Sequence, residues 1–127
     1  MKETKEIYLE SLNRAIQFVE NNLDKKILLK DIAREAFLSE FHFHRIFKSL
    51  TGETIKEFLL RLKIERAAIR LKYSKDNIRR IAFENGYENH ETFTRAFKKY
   101  FELTPQEYRD TIQQITIRRK QTISVRK

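Results

Sequence analysis

Arg45 and Lys48 stand three residues apart, and Arg95 and Lys98 repeat the pair at an offset of 50. Phe41 and His44 complete an i, i+3, i+4, i+7 run with the first pair. Glu91 and Thr94 do so with the second, and His90 stands beside them. On a helix that spacing puts each set along one face. An arginine there carries a two-pronged donor fork that fits guanine O6 and N7, while lysine, threonine and helix N-termini suit phosphate oxygens. Phe41 is out of place on a solvated face and suits apolar or stacking contact with a base. Glu91 is the discordant member: a carboxylate there accepts from cytosine N4, orients a neighbouring arginine, or faces water. A single Arg or Lys is ordinarily just a solvated side chain. The recurrence of both at equivalent places singles these out.

Something must hold those faces out. Phe43, Phe47 and Leu50 lie on the opposite side of the first run, and Phe93, Phe97 and Phe101 on the opposite side of the second. Apolar side chains at helical spacing are core, and units this small need large side chains to bury. The repeat extends further. Ile32-Ala33 matches Ile81-Ala82 at an offset of 49, Thr54 and Glu57 match Thr104 and Glu107 at 50, and Phe58 pairs with Tyr108. Each copy therefore reads as short helix, turn, second helix, capped exit, which is the outline of a helix-turn-helix.

Punctuation along the chain agrees. Gly occurs twice and Pro once, too few for a strand-rich fold. Tyr8, Leu12, Ala15, Ile16, Val19 and Leu23 form the stripe of a first helix, and Leu29, Ile32, Ala33 and Ala36 that of a short second one. Ser39 is a natural N-cap for the third, which Gly52 ends. "TIKE" at Thr54–Glu57 is a capping box opening a long fourth helix with an apolar stripe at Phe58, Leu62, Leu71 and their neighbours. Asp76 or Asn77 caps a fifth helix that turns Ile78, Ile81 and Ala82 inward. The sixth covers about 89–101, and "TPQE" at Thr104–Glu107 opens a short seventh with Pro at its favoured first position. "ITIRRKQTISVRK" then alternates β-branched and polar residues, a strand pattern with no partner strand elsewhere in the chain.

The linker sets a distance. About 18 residues at 1.5 Å each give roughly 27 Å. Adding the widths of the flanking units brings the two reading helices to about 34 Å, one turn of B-form DNA. The two copies differ in sequence, so the site they fit is asymmetric.

The chain has 127 residues, 35% of them charged, and a net charge of +9. That excess favours an anionic partner, nucleic acid or an acidic membrane surface. Arg109–Lys127 holds six Lys or Arg against one Asp, a net of +5, which leaves about +4 for the first 108 residues. Bulk charge is therefore a weak guide to the partner. Without cysteine, disulfides and thiol catalysis are excluded, which fits a reducing cytosol. The charged N-terminus is no signal peptide, and no apolar run approaches the ~18 residues of a membrane span. His42 and His44 point to different helix faces and make a poor metal pair. No HExxH, glycine-rich phosphate loop or positioned nucleophile appears, so no enzyme and no cofactor is expected.

"IAFENGYENHETFTRAFKKYFELTPQEYR" and "LLKDIAREAFLSEFHFHRIFKSLTGET" resemble the two helix-turn-helix motifs of the AraC/XylS family of bacterial transcription regulators. The resemblance covers roughly Leu12 to Arg109. Chain length and the phrases "ETFTRAFKKYF" and "SEFHFHRIFKSLTG" resemble most the stand-alone MarA, SoxS and Rob type. The resemblance implies an all-α fold of two three-helix, homeodomain-like helix-turn-helix subdomains joined by a long linker helix. Their expected bounds are about 8–53 and 74–109, with the linker at 54–73 and a basic tail at 110–127, disordered or leading to a further domain. It implies base reading by Phe41, His44, Arg45, His90, Glu91, Thr94 and Arg95, with Ser39, Lys48, Asn89, Lys98 and Lys99 on phosphates. The implied partners are double-stranded DNA and RNA polymerase, in the bacterial cytoplasm and away from membranes, with an activator's role. No small-molecule ligand is expected within the chain.

Three positions depart from the family pattern: Phe37 and Glu102 stand where glycine is frequent, and Ile55 where proline is common. Two further readings stand beside this one. One is a helical module that binds another protein, which duplex DNA would not compete. The other is the DNA-binding half of a longer, effector-sensing regulator. If the chain is whole, its abundance sets its activity.

Overall fold

The structure is a computed structural model that describes residues 3–125, with side chains through Ile115. Among the described residues it is all α, with seven helices and no strand. The chain divides into two compact units, one running to Leu62 and the other beginning at Lys63.

The first unit holds α1 (Thr4–Asn21), α2 (Leu29–Glu35), α3 (Glu40–Thr51) and the first half of α4 (Ile55–Tyr73). Leu12, Ala15 and Val19 of α1, Ile32 and Ala33 of α2, and Phe43 and Phe47 of α3 are buried in one core with Ile55 and Phe58. Leu50, expected to face inward, is exposed. At its position near the end of α3 it has outrun the core that Phe43 and Phe47 already fill. The second unit packs the later part of α4 with α5 (Ile78–Glu84), α6 (His90–Phe101) and α7 (Pro105–Val125). Ile64, Ala67, Ala68 and Leu71 meet Ile81, Ala82, Phe93 and Phe97 there.

The repeat is visible in the rings. Phe43–Phe47 and Phe93–Phe97 lie 5.6 and 5.8 Å apart, and Phe47–Phe58 and Phe97–Tyr108 lie 5.3 and 5.4 Å apart, edge to face. The expected single stripe on α4 is instead two. Ile55, Phe58, Leu59 and Leu62 join the first core, while Ile64, Ala67, Ala68 and Leu71 join the second. Each set follows i, i+3, i+4, i+7, and the two are out of phase, so no one apolar face runs the length of the helix.

The turns repeat too. Gly86 has φ 86°, and its counterpart Phe37 has φ 59°; Gly52 has φ 85°, and its counterpart Glu102 has φ 64°. Both family departures from glycine therefore keep the left-handed turn that glycine would supply. A side chain there crowds the following carbonyl. Arg14 lies 4.6 Å over the exposed Phe37 ring and partly offsets the strain. Glu102 is exposed, and its side chain has no bond among the described residues. Glu102→Gly is expected to stabilise the protein by about 1 kcal/mol in urea unfolding, and an unchanged or lower midpoint would show that the turn carries no strain.

The tail corrects the sequence reading. The helix opened at Pro105 is not short but continues to Val125, through most of the stretch read as strand-like. Its start is firmly capped: Thr104 Oγ1 accepts from the Glu107 backbone N–H at 3.1 Å, and Glu107 Oε1 accepts from the Thr104 N–H at 3.0 Å. Each residue added to a nucleated helix gains a backbone bond, whereas a lone strand has no ladder to join. The basic side chains from Arg118 onward, and residues 126–127, lie outside the described residues.

Candidate nucleic-acid interface

Each reading face is built from a capped turn and an aromatic back. Ser39 caps α3, its hydroxyl oxygen accepting from the His42 N–H at 3.1 Å, and Asn89 caps α6, accepting from the Thr92 N–H at 2.8 Å. These two expected phosphate contacts thus also set where their helices begin. Asn77, rather than Asp76, caps α5.

On α3, Phe41, His44, Arg45 and Lys48 are all exposed. Phe41 is 71% exposed, and the Arg45 guanidinium lies 5.7 Å from its ring centroid. The ring and the fork are therefore presented together, a pairing that i, i+4 spacing allows. His42 is not on this face. It is half-buried and its Nε2 lies 3.2 Å from the Tyr8 hydroxyl, tying α3 to α1.

On α6, Glu91, Arg95, Lys98 and Lys99 are exposed and His90 is half-buried. His90, Glu91, Thr94 and Arg95 line one shallow depression of about 490 Å³. Among the described residues neither the Glu91 nor the Arg95 side chain has a hydrogen bond or ion pair, so Glu91 does not orient its neighbour. Thr94 is half-buried, and its hydroxyl is closed to solvent with no hydrogen-bond partner among the described residues. A second hollow of about 650 Å³ borders the start of α6, with Arg79, Arg80, the exposed Phe83 and Tyr87 among its walls. Burial pushes the Tyr87 phenol up from its ordinary pKa. Neither Arg79 nor Phe83 has a counterpart of its own type in the first repeat, so the repeat does not single them out.

Arginine side chains clamp α5 and α7 in the second unit. Arg70 of α4 donates to Asp76 and Glu84, and Arg80 donates to Glu84 at 2.9 Å. Arg109 of α7 donates to the Leu71 and Ser74 carbonyls at 3.1 and 3.2 Å, satisfying carbonyls at the C-terminal end of α4. The Arg70 hydrogen bond holds the Asp76 carboxyl below its ordinary pKa, and the Arg80 and Arg70 bonds do the same for Glu84. Carboxyls depressed in the fold contribute stability above the unfolded carboxylate range near ~4, and that contribution fades as pH falls through the native values. Arg70→Met keeps the aliphatic stem and removes the charge. It is expected to lower the melting point at pH 7 and to flatten the loss of stability below about pH 4.5. Parallel pH profiles for the two proteins would remove these ion pairs from the account of stability.

No helix among the described residues is long and apolar enough to cross a membrane. A helix-turn-helix domain family matches residues 32–111. The Tn10 transposon TetD protein of Escherichia coli is 36% identical over 92 residues, covering 72% of this chain and 67% of TetD. The multiple antibiotic resistance protein MarA of Escherichia coli is 31% identical over 101 residues, 80% of each chain. The HTH-type transcriptional regulator YbfP of Bacillus subtilis is 30% identical over 94% of this chain, which spans only 41% of YbfP. Among solved structures, a regulator of Chromobacterium violaceum with an AraC-type DNA-binding domain superposes with a TM-score of 0.78 at 25% identity, over 82% of this chain and 93% of that one. With the family match over residues 32–111 and this likeness to MarA, the chain belongs to the AraC-type helix-turn-helix family, whose members are DNA-binding transcription regulators rather than enzymes.

Proposed function

We propose that one chain binds duplex DNA sequence-specifically, with α3 and α6 in successive major grooves of an asymmetric site, and activates transcription through contact with RNA polymerase in the bacterial cytoplasm. The reading units are about 8–53 and 74–109, joined by 54–73. The observation that carries this is the doubled face: Arg45 and Arg95 stand exposed at equivalent places on two N-capped helices, each backed by buried phenylalanines. The forks suit guanine O6 and N7. Phe41 and the Thr94 methyl group suit thymine methyl groups. Ser39, Lys48, Asn89, Lys98 and Lys99 suit the flanking phosphates.

The two-groove reading is tested by spacing. A duplex selected from a randomised 30-base-pair pool is rebuilt with five extra base pairs between its two conserved segments. Half a helical turn then separates the reading faces from their targets, and affinity should fall toward that of scrambled DNA. Full retention of affinity would mean that one helix alone reads the site.

A further inference from the structure

Glu91 is an acid on a face otherwise suited to an anion. It is exposed, it lies one turn before Arg95, and the two line the same depression with His90 and Thr94. No intramolecular hydrogen bond or ion pair engages either side chain among the described residues. A carboxylate in this place is repelled by phosphates and by every acceptor on a base edge. The major groove offers it two donors, the exocyclic amines of cytosine N4 and adenine N6. Adenine sets the acceptor N7 beside its amine, which a carboxylate meets unfavourably, whereas the edge of cytosine itself carries no acceptor there.

Resting on the DNA-reading function above, we propose that Glu91 fixes a C·G pair in the α6 half-site by accepting from cytosine N4, while Arg95, one turn on, takes guanine O6 and N7. The residue's other physical role is at the helix start. Glu91 is the second residue of α6, where a negative charge favours the helix dipole. That role governs stability and leaves base preference untouched, so preference is the discriminating readout.

The full chain and its Glu91→Gln variant are each taken through selection from the randomised 30-base-pair duplex pool. Glutamine both accepts and donates, and so pairs with adenine N7 and N6. One position should change from C·G to A·T by at least about fivefold, with the remainder of the site kept. The same pair enriched by both proteins would overturn the proposal. So would a uniform gain in affinity of Glu91→Gln on every duplex, since the carboxylate would then merely repel phosphate. If neither protein enriches any sequence, the failure lies in DNA reading itself.

Discussion

Phe97→Ala is expected to cost the fold about 3–5 kcal/mol. Phe97 is wholly buried and sits at the centre of the second core, with the rings of Phe93, Phe101 and Tyr108 within 5.8 Å of its own. Truncation to the β-carbon loses the transfer energy of the ring and leaves a cavity walled by aromatics that cannot easily collapse. A loss of this size is a large part of a small domain's total stability and should lower the thermal midpoint by on the order of 10 °C or more, followed by circular dichroism. DNA binding should fall with it, because α6 holds its reading face out only while its back is packed. Phe97→Leu fills more of the space and should be milder. A midpoint within a degree or two of the parent for Phe97→Ala would contradict the assignment of this face as core.

Arg95→Ala should have the opposite profile. Arg95 is exposed and its side chain makes no hydrogen bond or ion pair among the described residues, so the fold has little to lose and the midpoint should stay put. Affinity for the selected duplex should fall by about 1–3 kcal/mol, roughly 5- to 150-fold, while affinity for scrambled DNA changes much less. Preference at one base pair should relax. A fluorescence-anisotropy titration of both duplexes at a single salt concentration reads this directly. An equal loss on both would move Arg95 from base reading to phosphate contact. Together the two variants separate the back of α6 from its front, which the i, i+4 pattern alone joins.

What the sequence made legible is what is local. Ser39 and Asn77 cap the helices they precede, and Phe43, Phe47, Phe93 and Phe97 lie buried, because each depends on neighbours within one or two turns. The Phe37 and Glu102 turns could be placed by their glycine counterparts in the other repeat. What stayed hidden depends on distant partners or on competition between states. The Arg109 clamp spans 38 residues and the Arg70–Glu84 pair spans 14, and periodicity gives no sign of either. The two stripes of α4 look like one because a sequence window cannot tell which core each faces. Alternating β-branched residues after Ile115 favour a strand only where a partner exists, and the capped α7 outcompetes it. On the site, the positions of Arg45 and Arg95 were readable, but the inward turn of the Thr94 hydroxyl and the absence of a Glu91–Arg95 pair were not. Those are rotamer facts that follow from packing.

The two faces are proposed to read sequence rather than charge alone. The affinity of the full chain for the selected duplex, set against a scrambled duplex of equal length across a salt series, tests this. Preference for the selected duplex of at least ~10³-fold, persisting as salt rises, is the predicted result. Equal affinities with one common steep salt slope would contradict it and leave only the attraction of a basic chain for an acidic polymer.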